Sequence, residues 1–135
     1  MLIHATCIAI ADKGVLLTGP PGSGKSDLAL RMIEEGAKLV ADDQCELRVE
    51  GNHLLASAPA AIVGLFEIRH VGLMQMPFVA SAPLALYVEL VGLEIKLERL
   101  PEAELIIFLE RSLPRLRLPA FAASTPAKIR AALKM

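Results

Sequence analysis

The stretch that decides the fold is GVLLT at residues 14–18, GPPGSGKS at 19–26 and DLALRMIEE at 27–35. The first piece reads as a short strand, the glycine-rich octet as a tight loop, and the segment from Lys25 as a helix. Leu28, Met32 and Glu35 fall on one side of that helix with Leu30 and Ile33 nearby, and Gly36 supplies its stop. The octet fits G-x-x-x-x-G-K-[ST], the phosphate-loop pattern. A chance match in a chain of this length is on the order of one in two hundred, and the strand before and helix after lower it further. Gly19, Gly22 and Gly24 let the backbone turn around Pro20, Pro21 and Ser23, so that successive N–H groups point inward at phosphate oxygens. The helix N-terminus adds partial positive charge. Lys25 can then reach β- and γ-phosphates, and the Ser26 hydroxyl can ligate Mg²⁺. Binding of a nucleoside triphosphate with Mg²⁺ is the expectation.

Working outward, the chain has 135 residues, enough for one domain spanning 1–135 and too few for a second full one. It is 54% hydrophobic and 21% charged, with a mean hydropathy of +0.51, which argues against disorder. Fourteen basic residues against fifteen acidic ones leave a net charge of −1. No chain-wide attraction to nucleic acid or to an anionic membrane follows. Residues 71–88, VGLMQMPFVASAPLALYV, lack charge, but Pro77 and Pro83 would break a spanning helix, so a loop followed by a buried strand is expected. No leader is expected from Met1-Leu2-Ile3-His4. Cys7 and Cys45 have no metal-ligand spacing and read as small buried hydrophobes of a reducing, cytoplasmic protein. The apolar surplus points to surface buried against other subunits.

Residues 3–10 and 14–18 read as two strands joined by a turn at Ala11-Asp12-Lys13-Gly14. Residues 38–41 read as a strand ending at Asp42-Asp43, residues 45–50 as a half-exposed strand, and Gly51-Asn52 as a hairpin turn. Strands are also expected at 84–91 and 105–109. Residues 115–118, between Pro114 and Pro119, read as a short extended piece at an edge. Ser124-Thr125-Pro126 caps a final helix reaching about Leu133. The fold class is therefore α/β: a phosphate-loop domain with a mixed, strand-rich sheet, the helix after the loop, and a C-terminal helix.

Phosphoryl transfer also requires an acid to hold the metal, an oriented nucleophile and cationic neutralisation. Asp42-Asp43, seventeen and eighteen residues past Lys25, is the best acidic candidate if its strand lies parallel and next to the strand before the loop. Adjacent carboxylates on a strand point to opposite faces, so at most one would face the phosphate. Glu110, at the end of LIIFLE, is a weaker rival. Taken alone, His4 reads as structural, and Glu67 and Arg69 as a surface ion pair on one strand face. From Arg111 onward there are six basic residues and no acid, either a solvated face or a docking surface for an acidic or phosphorylated partner.

His4, GPPGSGKSD, VADD and FEIRHVGL in this order resemble the catalytic domain of HPr kinase/phosphorylase, over nearly the whole chain. The family's LEIRGLGI signature aligns with Leu65 to Leu73, and the chain looks like a short form without the N-terminal domain of many members. The resemblance implies an ATP-dependent serine kinase acting on HPr or a related phosphocarrier of the sugar phosphotransferase system. It also implies phosphorolysis of the phosphoserine in reverse, and a cytoplasmic hexamer. It places ATP over residues 19–26 and Mg²⁺ on Ser26 and Glu67. One of Asp42 and Asp43, with Asp43 favoured, becomes the base, while His4, Lys25 and Arg99 orient phosphate oxygens or neutralise transferring charge. The family's Arg-Gly-Leu-Gly is here Arg69-His70-Val71-Gly72, and its basic, glycine-containing stretch after the second proline is Pro119-Ala120-Phe121-Ala122-Ala123-Ser124. A small-molecule phosphate-loop kinase and a nucleotide-dependent binding module are the rival readings.

Overall fold

The computed structural model describes residues 1–135. Its framework is a nine-stranded mixed sheet in which the β-strands run β1-β5-β6-β9-β3-β2-β4, with β11 also on β9 and β10 outside β11. The first strands are β1 (Leu2–His4), β2 (Thr6–Ile10), β3 (Lys13–Thr18), β4 (Lys38–Ala41), β5 (Gln44–Glu50) and β6 (His53–Ser57). After a single 3₁₀ turn at Ala60–Ile62 come β7 (Leu65–Ile68), β8 (Gly72–Gln75), β9 (Ala82–Val91), β10 (Glu104–Phe108) and β11 (Arg111–Pro119). The helices are α1 (Lys25–Glu34) and α2 (Thr125–Leu133).

The alternation of apolar residues along the strands builds two cores, one on each face. Ile8, Val15, Leu17, Leu39, Leu86, Val88 and Leu90 face Leu28, Ala29 and Met32 of α1 and Ile129 of α2. Their sequence neighbours Cys7, Ala9, Leu16 and Val40 point the other way, against Cys45, Leu47, Leu54 and Ala56 of the β5–β6 hairpin. The helix stripe is thus Leu28, Ala29 and Met32, while Glu35 stays outside and pairs with Arg130 on α2 at 2.9 Å. Gly36, at φ 109, ends α1 by turning its N–H onto the Ile33 carbonyl.

Four expectations need correction. Residues 3–10 are two strands, broken at Ala5, because β1 pairs with β5 while β2 pairs with β3 and β4, so the chain changes partners there. Residues 115–118 are no short edge piece. They belong to a nine-residue strand whose first half pairs with β10 and whose second half runs parallel to β9. The prolines survive because each half needs a ladder on one side only. The strand ending at the acidic pair is parallel to β3 but is not its neighbour, since β2 lies between them, antiparallel to both. Finally, Glu67 and Arg69 do not share a strand, because β7 ends at Ile68 and Arg69 enters the turn to β8.

The segment 71–88 is a strand, a loop and then β9, and no helix of the chain is long and apolar enough to cross a membrane. The two cysteines are buried and free, as expected. Cys7 is pushed well above the ordinary thiol value, first by its hydrogen bond with Cys45 and then by burial. Half of the C-terminal cations are paired: Arg115 with Glu89, Arg117 with Glu89 and Glu104, and Arg130 with Glu35. Glu89 raises Arg115 above its usual value. Three of the six cations of that stretch are thus neutralised in space, while Arg111, Lys128 and Lys134 have no acidic partner.

Candidate active site

Strand β3 delivers the chain to the loop at Gly19, and α1 carries it away from Lys25. Gly22 and Gly24 sit at φ 80 and 98, where a side chain would be strained. Gly24 is also crowded, since a Cβ there would stand 2.7 Å from the Ala120 Cβ. The loop is thus clamped from outside by the turn that follows β11. Within it, the half-buried Lys25 Nζ donates to the Gly19 carbonyl at 2.8 Å, and the Ser23 hydroxyl is buried without a partner.

Across from the loop, Asp42 is 9% exposed and its carboxylate gathers three donors. Oδ1 accepts from the Ser26 hydroxyl at 2.9 Å and the Thr6 hydroxyl at 3.0 Å, and Oδ2 accepts from the Glu67 N–H at 3.4 Å. One side chain therefore ties the loop's helix, strand β2 and the β7–β8 hairpin together. A buried carboxylate is tolerable only when so satisfied.

Asp43 is exposed and points into the cleft from a special backbone. The Gln44 N–H bonds the Asp42 carbonyl at 2.8 Å, closing a three-residue turn around Asp43 at φ 68. The Asp43 carbonyl accepts from the Ala5 N–H at 3.1 Å, and its own N–H donates to Thr6 Oγ1 at 3.3 Å. This turn, rather than strand alternation, is why both carboxylates reach the same site: the strand has already ended at Ala41. Strain of this kind persists where surrounding bonds over-determine it.

A cleft of about 770 Å³ runs between the glycine-rich loop and the β7–β8 hairpin, and Lys25, Ser26, Asp42, Asp43 and Glu67 all line it. Phe66 roots the hairpin in the core at 1% exposure, which turns the alternate residue Glu67 outward into the cleft. Arg69, His70 and Phe121 also border it. Two expected residues are not brought into this lining. His4 is exposed on β1 opposite Gln44, beside the acidic turn but outside the cleft, and Arg99 lies on the exposed loop between β9 and β10. Glu110, the weaker acidic rival, sits in the turn before β11 and is absent from the cleft.

Sequence reading missed Thr6. Its hydroxyl donates to Asp42, accepts from Asp43 and is fully buried. A hydroxyl inside an otherwise apolar strand, TCIAI, was the available signal. Replacing Thr6 by valine keeps the shape but leaves two polar groups short of a partner. Such a loss costs about 1–3 kcal/mol. Denaturant unfolding of Thr6→Val should show that deficit and Thr6→Ser should recover most of it. Equal stability of Thr6→Val and the unaltered chain would refute the assignment.

The geometry assembles hard oxygen donors and one lysine around one cleft, beside the glycine-rich loop. The chain matches the HPr Serine kinase C-terminal domain family over residues 1–129. It is 38% identical over 128 residues to the HPr kinase/phosphorylase of Geobacillus thermodenitrificans, covering 87% of this chain and 41% of that protein. With the HPr kinase/phosphorylase of Listeria welshimeri it shares 43% over 75 residues, 55% of this chain and 24% of the relative. The chain thus spans about two-fifths or less of the curated relatives' length. The solved Hpr(Ser) kinase/phosphatase from Coxiella burnetii superimposes with a TM-score of 0.86 at 27% identity, covering 99% of this chain and 88% of that one. Sequence and fold agree, and this chain belongs to the HPr serine kinase C-terminal domain family.

Proposed function

We propose that this chain is the catalytic unit of an ATP-dependent kinase that phosphorylates a serine of an HPr-type phosphocarrier. The observation that carries the reading is the bond from the Ser26 hydroxyl to Asp42, with Lys25, Asp43 and Glu67 on the same cleft. The relatives' names supply the acceptor.

The residues suit a magnesium nucleotide. Gly22 and Gly24 supply the loop's positive-φ turns, and the orphaned Ser23 hydroxyl lies buried within it. Ser26 and Glu67 are oxygen donors of the sort Mg²⁺ takes one or two at a time alongside phosphates and water. When bound, ATP supplies the transferable γ-phosphoryl group and Mg²⁺ offsets its charge.

The chain's own residues do the rest. Asp42 holds the Ser26 hydroxyl in place, and Lys25 faces the charge that builds on the phosphoryl oxygens. Asp43 would accept the proton of the acceptor serine hydroxyl as the serine oxygen bonds to the γ-phosphorus and the bond from that phosphorus to the leaving ADP oxygen breaks. His4 and Arg99 act, in this reading, only after His4 turns inward and the loop bearing Arg99, here or on a second copy, folds onto the cleft. In phosphorolysis an oxygen of inorganic phosphate would attack the phosphoserine phosphorus and the bond from phosphorus to the serine oxygen would break, giving pyrophosphate, while Asp43 returns the proton to that serine oxygen. The protein works in the cytoplasm as a homo-oligomer, hexameric by family resemblance. Exposed Leu100, Leu105 and Ile107 offer apolar surface for assembly.

A small-molecule kinase would need an arginine-bearing lid. Arg31 is engaged with Asp27 and the Ala120 carbonyl, and Arg48 with Glu50 and Ser57, which leaves Arg69 as the one arginine on the cleft. The open cleft fits a protein acceptor better. Incubation of a purified HPr-type phosphocarrier with this protein, ATP and Mg²⁺ should add one serine-linked phosphate by intact-mass spectrometry. ATP binding without any covalent product would overturn the kinase and favour a nucleotide-dependent binding module.

A further inference from the structure

Phe121 has no role in the scheme above, yet its surroundings are unusual. It is 61% exposed, in a chain with four phenylalanines, one tyrosine and no tryptophan. Its ring lies on the glycine-rich loop: a Cβ on Gly24 would stand 2.8 Å from Phe121 Cζ. The residue borders the main cleft and also a second depression of about 220 Å³, walled by Pro20–Ser23 and by Leu90–Glu94.

The turn that presents this ring is rigid. Ala120 is 1% exposed in the helix-side core, Arg31 of α1 donates to its carbonyl, and the Thr125 hydroxyl donates to the Pro119 carbonyl. Pro119 itself is paired with Val91 on β9. An aromatic ring held in water beside a phosphate-binding loop forgoes the burial that phenylalanine ordinarily gains. A nucleotide whose phosphates lie on residues 19–26 must project its ribose and base out of that loop. The amides and Lys25 serve only the phosphates, so the base needs a separate support.

We propose that the turn between β11 and α2 is a nucleobase subsite, in which the Phe121 ring stacks on the purine of a bound nucleoside di- or triphosphate. This rests on the nucleotide-binding part of the proposed function. A stacking platform reads a π-face rather than hydrogen-bonding edges, and so favours purine nucleotides over bare polyphosphate without selecting strongly among purines.

Because the chain has no tryptophan, Phe121→Trp installs a single fluorophore at the subsite. Magnesium ADP should quench it saturably, and magnesium tripolyphosphate, which has no base, should not. In parallel, calorimetry of Phe121→Ala should show ADP bound about tenfold more weakly, the order expected for one lost base–aromatic stack, with tripolyphosphate affinity unchanged. Phe121→Leu, which retains apolar bulk against the loop, should behave like Phe121→Ala and covers the case in which the alanine variant fails to fold. Equal quenching by both ligands, or equal weakening of both in the leucine variant, would make Phe121 a prop for the loop and overturn the subsite. Full ADP affinity in Phe121→Leu would overturn it as well. If the unaltered chain binds neither ligand, the nucleotide reading itself fails and takes the subsite with it.

Discussion

Lys25→Ala should lower phosphoryl transfer about a thousandfold or more, the scale seen when a preorganised charge or donor at a transferring group is removed. The half-buried ammonium is the one cation of the glycine-rich loop, and from the first turn of α1 it lines the main cleft. Arg31, further along α1, cannot substitute, because it is turned away toward Asp27 and the Ala120 carbonyl. The fold should survive. The intramolecular partners of Lys25 Nζ are two loop carbonyls, Gly19 and Pro20, and loss of such bonds costs on the order of 1 kcal/mol. Single-turnover transfer to the phosphocarrier, read beside a thermal melt, checks both halves. Normal transfer by Lys25→Ala would remove Lys25 from the mechanism.

Asp43→Asn should reduce kcat by about 10²- to 10⁴-fold, the range for deleting a general base. Asparagine is the informative replacement, since Asp43 sits at φ 68 and asparagine is among the few residues that tolerate that region. Its N–H to Thr6 and its carbonyl to Ala5 are main-chain bonds and persist in the variant. Stability should therefore be unchanged while activity collapses. Asp42→Asn should differ. An amide there presents N–H toward at least one of the Ser26, Thr6 or Glu67 donors, leaving a buried mismatch of about 1–3 kcal/mol. The paired result, activity alone for Asp43 and activity with melting temperature for Asp42, would assign the base. If Asp43→Asn transfers phosphate normally while Asp42→Asn is inert and stable, the roles are exchanged.

The boundary between what was legible and what was not follows the range of the interactions. Strand β3, the loop at 19–24 and helix α1 were readable because each is specified within a few residues: β-favouring side chains, glycines at forced turns, an apolar stripe at helical spacing. Strand β4 could be read to its last residue for the same reason, as could the cap region of α2 at Ser124-Thr125-Pro126. The octet also announced the chemistry, because backbone geometry and the Lys–Ser pair carry it locally. What failed depended on partners distant in sequence. Nothing in RLRL says that its neighbours are β10 and β9, or that β2 slips between β3 and β4.

The site divides in the same way. The residue types, a lysine, a serine, two aspartates and a glutamate, stood in the sequence. That Asp42 faces inward as a hub while Asp43 faces the cleft was decided by a three-residue turn held from Thr6 and Ala5, thirty-seven and thirty-eight positions away. The C-terminal cations show the converse: in a run without acids in sequence, Arg115, Arg117 and Arg130 are neutralised by Glu35, Glu89 and Glu104 from other elements. By itself the sequence determined the local conformations and the chemical inventory, since propensity, glycine freedom and motif spacing act over one or two turns of chain. The tertiary structure alone decided which groups meet, because a hydrogen bond or ion pair depends on distances of a few ångströms, which only the pairing of remote strands sets.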